Sequence, residues 1–261
     1  MNFSLAKARM WPLVGLPLKA VAWAARRYLR AYNNEADHNF ARNGEAWLIA
    51  RTCAAERQTN PICIDVGANH GKWTASVLEV NPAARVVACE MLPVFRDALH
   101  KRFSGNAAVT IIESGLSDVE ERRVGYQVGG GGQLFRRPSS VKPAIETDVA
   151  LARGDDLISD LALTAVHVIK IDTDGYELNV LRGLEKTIAA HRPIIQFEYS
   201  EFTGLNRNYL RDFYEFFGAI NYKVGCLMPT RVAFGKYNKH EENLLTKNYV
   251  AAPAERAAEF S

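Results

Sequence analysis

The chain has 261 residues, enough to bury one full core and still carry appendages. Its composition, 48% hydrophobic and 23% charged, is ordinary for a soluble globular protein. A net charge of +3 is nearly balanced and gives no sign of wholesale nucleic-acid binding.

The charge is unevenly placed. Lys7, Arg9, Lys19, Arg26, Arg27 and Arg30 all precede the first acid, Glu35, so the leader is basic and the remainder mildly acidic. Residues 1–40 therefore read as an N-terminal extension, ahead of a single domain over 41–261. Two prolines and Lys19 interrupt the leader's apolar run, so it resembles neither a secretory signal nor a bilayer span. A basic helix carrying Trp and Leu suits an anionic membrane surface. Packing on the domain, or self-association through residues 1–30, is the other reading. The cysteines, Cys53, Cys63, Cys89 and Cys226, have neither metal nor disulfide spacing. That spacing fits a reducing, cytoplasmic setting, which extends to the inner face of the membrane if the leader binds there.

Residues 43–57 predict a helix, with Asn43 as N-cap. An alternation follows: strand "PICIDVG", helix "KWTASVLEVN", strand "ARVVACE", helix "PVFRDALHKRF" and strand "AVTIIES". Strands apolar throughout, alternating with helices, indicate a parallel sheet covered on both faces. Residues 115–150 break the rhythm and read as a hairpin excursion. The run "VGGGGQLFRRPSS" could act there as a lid, with Arg136 or Arg137 gripping an anion. Strand "AVHVIKID", helix "GYELNVLRGLEKTIAAH" and strand "RPIIQFEYS" restore the alternation. The aromatic helix "NYLRDFYEFFGAI" reads as core. "NYKVGCLMP" and "NLLTKNYVAAP" then form a closing pair of strands.

The loop after the first strand, "DVGANHG", sits where ligands collect in doubly wound sheets. Its spacing is Gly67-x-x-x-Gly71, not the Gly-x-Gly-x-x-Gly that receives a pyrophosphate. Glu90, ending the second strand, stands where a ribose-binding acid belongs. A ribose with free hydroxyls and no pyrophosphate describes S-adenosylmethionine, whose cationic groups also favour a carboxylate such as Asp65. Asp65 as a helix cap and Glu90 as a surface acid is the blander reading.

A second acidic cluster follows. Asp172 and Asp174 lie just past the fourth long strand, Glu177 in the first helical turn, and Glu198 at the next strand tip. A helix cap explains Glu177 but not Asp172.

At these residues the chain resembles the FkbM-type S-adenosylmethionine-dependent methyltransferases. The resemblance rests on "CIDVGANHGKWT", "CEMLPVFRDAL", "VIKIDTDGYELNVLRG" and "RPIIQFEYSE", covers about residues 60–205, and leaves out the leader. The family's usual Val-Glu is Thr173-Asp174 here, and its Glu-Pro is Glu90-Met91. The resemblance implies a class I methyltransferase fold: an α/β, Rossmann-like, doubly wound sheet of seven mostly parallel strands, the last antiparallel. It implies methyl transfer to a hydroxyl of a sugar, glycan or related natural product. Asp65, Gly67, Asn69, Gly71 and Glu90 then correspond to cofactor-binding positions, with Ser117 and Asp118 past the third strand completing the expected set. Asp172 and Glu198 match acids near the reacting methyl.

A sugar hydroxyl must lose its proton to attack, through a general base or a metal ion. Asp172 is the first candidate base. A divalent ion such as Mg held by Asp172, Asp174 and Glu198 is the alternative. A nicotinamide-dependent oxidoreductase, disfavoured by the glycine spacing, and a non-catalytic binding module on the same fold are the competing functions.

Overall fold

The computed structural model describes residues 15–35, 37, 39–55, 57–128, 131–134 and 145–261. The lid reading of Arg136 and Arg137, and the basic residues Lys7 and Arg9, lie outside the described residues.

The strands in chain order are β1 (Ile62–Val66), β2 (Arg85–Cys89), β3 (Val109–Ile112), β4 (Gly115–Ser117), β5 (Glu121–Val128) and β6 (Gly131–Gln133). They continue with β7 (Ile145–Arg153), β8 (Val168–Ile171), β9 (Ile194–Tyr199), β10 (Tyr222–Met228), β11 (Arg231–Phe234) and β12 (Lys247–Pro253). The main sheet runs β11-β10-β12-β9-β8-β1-β2-β3. Its β1, β2, β3, β8 and β9 pair in parallel, while β12 is antiparallel to both β9 and β10. The closing pair of strands forms as expected. The sheet has eight strands and not seven, because the chain turns after Met228 and adds β11 antiparallel at the edge.

The helices are α1 (Gly15–Tyr32), α2 (Glu45–Cys53), α3 (Lys72–Val80), α4 (Pro93–Arg102), α5 (Gly154–Asp160), α6 (Glu177–Gly183), α7 (Glu185–His191), α8 (Glu201–Leu205) and α9 (Leu210–Ala219). Core residues of α6, α7 and α9 fill one face of the sheet, and those of α2 and α3 the other. Phe213, Phe217 and Tyr249 stack around Phe197, so the aromatic helix is core. Strands buried on both sides explain the continuous apolar runs in the sequence.

Three local expectations need correction. The helix expected over 175–191 breaks at Leu184, whose φ of −111° lies outside the helical range. Val180, Leu181, Leu184 and Ile188 are nevertheless all buried, so the periodicity survives the break. The N-cap of α2 is Gly44, with a left-handed φ of 97°. Asn43, one residue earlier, still accepts a 3.0 Å hydrogen bond from the Glu45 N–H. The excursion at 115–150 is more than a hairpin: β4-β7-β5-β6 make a second sheet. Leu92, Phe95 and Val149 form the core beneath it.

Candidate active site

Parallel strands present their carboxyl ends together, and here they open onto a cavity of about 460 Å³. On one side lies the β1–α3 loop. Gly67, Asn69 and Gly71 all have left-handed φ values, 78°, 49° and 70°. Glycine adopts these freely, and asparagine is among the few side chains that tolerate them. A Cβ on Gly67 would stand 1.9 Å from the Asp172 carbonyl oxygen, so only glycine fits that turn. Glu90, 5% exposed, closes this side. It accepts the Asn69 N–H at 2.9 Å on one carboxylate oxygen and the Leu92 N–H at 2.9 Å on the other. Burial pushes its carboxyl above the ordinary glutamate range, against the downward pull of those N–H groups.

The floor is a polar row cut across the sheet. Asp65, Lys170 and Gln196 are neighbours in register on β1, β8 and β9. Asp65 is wholly buried and does not line the cavity. One of its oxygens accepts from the Thr74 hydroxyl at 2.7 Å, and the other lies 3.5 Å from the Lys170 ammonium. Lys170 also reaches Asp172 at 3.2 Å. Burial opposes its charge, yet Asp172, Asp65 and Glu45 outweigh that and hold the ammonium above the usual lysine range.

Alternation along the strands sets Asp172 and Glu198 one step nearer the cavity, on the same face as Lys170 and Gln196. Asp172, Asp174 and Glu198 all line it. Burial, and then the carboxylates of Asp172, Asp174 and Glu177, hold the Glu198 carboxyl well above its ordinary range. Glu177 serves the loop between them, taking N–H bonds from Thr173 and Gly175 at 3.0 Å each.

The opposite wall comes from the chain's two ends. Asn34, Asp37, Asn43, Glu45, Lys247 and Asn248 line it. Glu45 accepts from Asn43 at 2.7 Å and from Gln196 at 3.1 Å. Lys247 pairs with Glu35 at 3.0 Å, both side chains nearly inaccessible. The second sheet completes the rim with Gly115, Leu116, Gly132, Leu134 and Leu151.

Of the expected site residues, the cavity brings together Gly67, Asn69, Glu90, Asp172, Asp174 and Glu198. Gly71 stands behind the loop, where a Cβ would strike Phe103 and Leu99. Ser117 and Asp118 lie off the cavity wall: Ser117 donates to Asp118 at 3.0 Å, and Asn179 of α6 donates to Asp118 at 3.1 Å. Among the described residues no group of three or more His, Cys, Asp or Glu is disposed to hold a metal ion. The cation beside Asp172 is Lys170. Sequence reasoning missed Lys170, Glu45, Lys247 and Asn248. A lone lysine within an apolar strand was the available signal for the first, since lysine is rarely buried unless paired.

A largely parallel, doubly wound sheet with antiparallel strands towards one edge, and a ligand cavity at its strand tips, defines the class I methyltransferase architecture. Residues 65–224 match the Methyltransferase FkbM domain, and the chain belongs to that family. A curated relative, methyltransferase sdnD of Sordaria araneosa, is 25% identical over 168 residues, 51% of this chain and 63% of that protein. The chain thus spans less than two thirds of that relative's length. Among solved structures, an FkbM methyltransferase from Methylobacillus flagellatus KT is 18% identical, with a TM-score of 0.49 over 77% of this chain and 47% of its own. A Streptococcus mutans protein in complex with SAH is 8% identical, with a TM-score of 0.47 over 79% of this chain and 94% of its own.

Proposed function

We propose that this protein transfers a methyl group from S-adenosylmethionine to a hydroxyl of a sugar, glycan or related natural product. The observation that carries the reading is the cavity's division. A glycine-turned loop with a buried glutamate stands on one side, a wall of amides and charged groups on the other, and Asp172 between them. The buried Glu90 carboxylate on the cavity wall fits a ribose diol, and the cavity volume is within the range of small-molecule sites. Gly67, Asn69 and Glu90 would hold the nucleoside, while Asp65 supports the floor through Lys170 and does not touch the ligand. When bound, S-adenosylmethionine supplies a methyl group already activated by its sulfonium.

The chain's own residues would do the rest. Asn43, Glu45 and Asn248 offer hydrogen-bond partners to a polyhydroxylated acceptor and fix its approach. Asp172 takes the proton of the attacking hydroxyl, its carboxylate aimed by Lys170. Glu198, whose carboxyl is raised by burial and then by its acidic neighbours, holds its proton more tightly than an ordinary glutamate and lines the cavity beside Asp172. A divalent ion is not part of the proposal, because the Lys170 ammonium already provides the positive charge at Asp172.

The test is calorimetric titration with S-adenosylhomocysteine, followed by transfer of labelled methyl to a panel of hydroxylated acceptors. Binding together with label on a sugar hydroxyl is the expected result. Stabilisation by NAD and not by S-adenosylhomocysteine would overturn the cofactor assignment. Binding without transfer to any acceptor would favour a non-catalytic module.

A further inference from the structure

The described part of the basic leader is a bare helix. Every residue from Leu18 to Tyr32 is exposed, and among them Leu18, Val21, Tyr28, Leu29 and Tyr32 are 48%, 63%, 69%, 52% and 66% accessible. At about 100° per residue these five, with Ala22 and Ala25, fall on one side of α1. Lys19, Trp23, Arg26, Arg27 and Arg30 gather on the other, with the Arg27 guanidinium 5.2 Å from the centre of the Trp23 ring. The helix contains no acid. A contiguous apolar side of this kind, left in water, marks a surface that something covers.

We propose that α1 is an interfacial anchor, laying its apolar side into an anionic membrane surface while Lys19, Arg26, Arg27 and Arg30 reach the lipid phosphates. Charge chooses the occupant. A second copy of α1 packed through its apolar side would leave the cations of both helices on the outer faces with no acid in either helix to pair with them, whereas an anionic bilayer supplies the counter-charge. Among the described residues no helix is long and apolar enough to cross a membrane, so α1 lies in the interface and does not span it.

The anchor is joined to the cavity. Two residues past the helix, the Asn34 amide donates to the carbonyls of Asn43 at 2.7 Å and Leu227 at 2.8 Å. Asn34 and Asn43 both line the acceptor wall. Docking of α1 therefore sets that wall beside the lipid surface.

The experiment is sedimentation of the full chain with vesicles of phosphatidylcholine alone or mixed with phosphatidylglycerol. Binding is expected only to the anionic vesicles, and it should weaken as salt is raised. Each arginine removed, by Arg26→Ala or Arg27→Ala, should lower partitioning by roughly fivefold. Val21→Asp with Leu29→Asp should abolish it. Both positions are exposed, so the thermal midpoint should stay unchanged and misfolding would be visible separately. Failure of the wild-type chain to sediment with anionic vesicles would overturn the proposal. Undiminished binding by the Val21→Asp/Leu29→Asp variant would do the same. A dimer lost in that variant, without vesicle binding in the wild type, would assign the surface to a second copy.

Discussion

The Lys170 ammonium lies 3.2 Å from the Asp172 carboxylate, two residues further along the same strand edge, and 3.5 Å from Asp65 on the neighbouring strand. One cation thus balances two acids, one of which has no access to water. Lys170→Met should destabilise the fold by about 3–5 kcal/mol, because it leaves a buried carboxylate without its partner. Urea unfolding measures this, and a loss below about 1 kcal/mol, the scale of an exposed pair, would show that the charges are solvated.

Asp172→Asn keeps the shape of the side chain but cannot take a proton. Turnover should fall by roughly 10²–10⁴-fold, the usual contribution of a general base. S-adenosylhomocysteine affinity, measured by titration, should change little. A variant of near wild-type rate would remove Asp172 from the proton path.

Glu90→Gln should weaken cofactor binding by about 1–3 kcal/mol, through loss of charged hydrogen bonds to the ribose. The amide can still accept one of the two backbone N–H bonds, so the loop should persist and the thermal midpoint should drop less than in Glu90→Ala. Unchanged affinity in both variants would place the ribose elsewhere.

Burial and three nearby carboxylates raise the folded-state Glu198 carboxyl well above its ordinary value of 4.5. A group raised in the folded state contributes stability that is complete below its unfolded value and is lost as pH climbs through its folded one. The thermal midpoint should therefore fall as pH rises above about 4.5, and Glu198→Gln should flatten that decline. A slope identical in the two proteins would mean that Glu198 ionises in the folded state as it does in the unfolded chain.

The local signals around the cavity were legible. The turn at Gly67, the strand ending at Glu90 and the acid after "VIKI" are each defined by neighbours within a few residues, and the structure sets them at one mouth. The wall built around residues 34–45 and 247–248 was not legible, because Glu35 and Lys247 pair across more than two hundred residues and neither stands in a motif. Glu45 is a first-turn acid of α2, yet it also accepts from Gln196 of β9. Ser117 and Asp118, past β3, lie off the cavity wall, where the bond from Asn179 holds Asp118 towards α6. The break at Leu184 carries no proline, and the buried apolar spacing runs through it unchanged.

The missing side chain of Gly67 lets the first loop rest directly on the main chain of Asp172. On the function proposed above, the nucleoside seat and the proton acceptor would in consequence be cast as one part. Divergence within such a scaffold would not shift either independently, and new acceptors would be accommodated by changes at the termini and the second sheet.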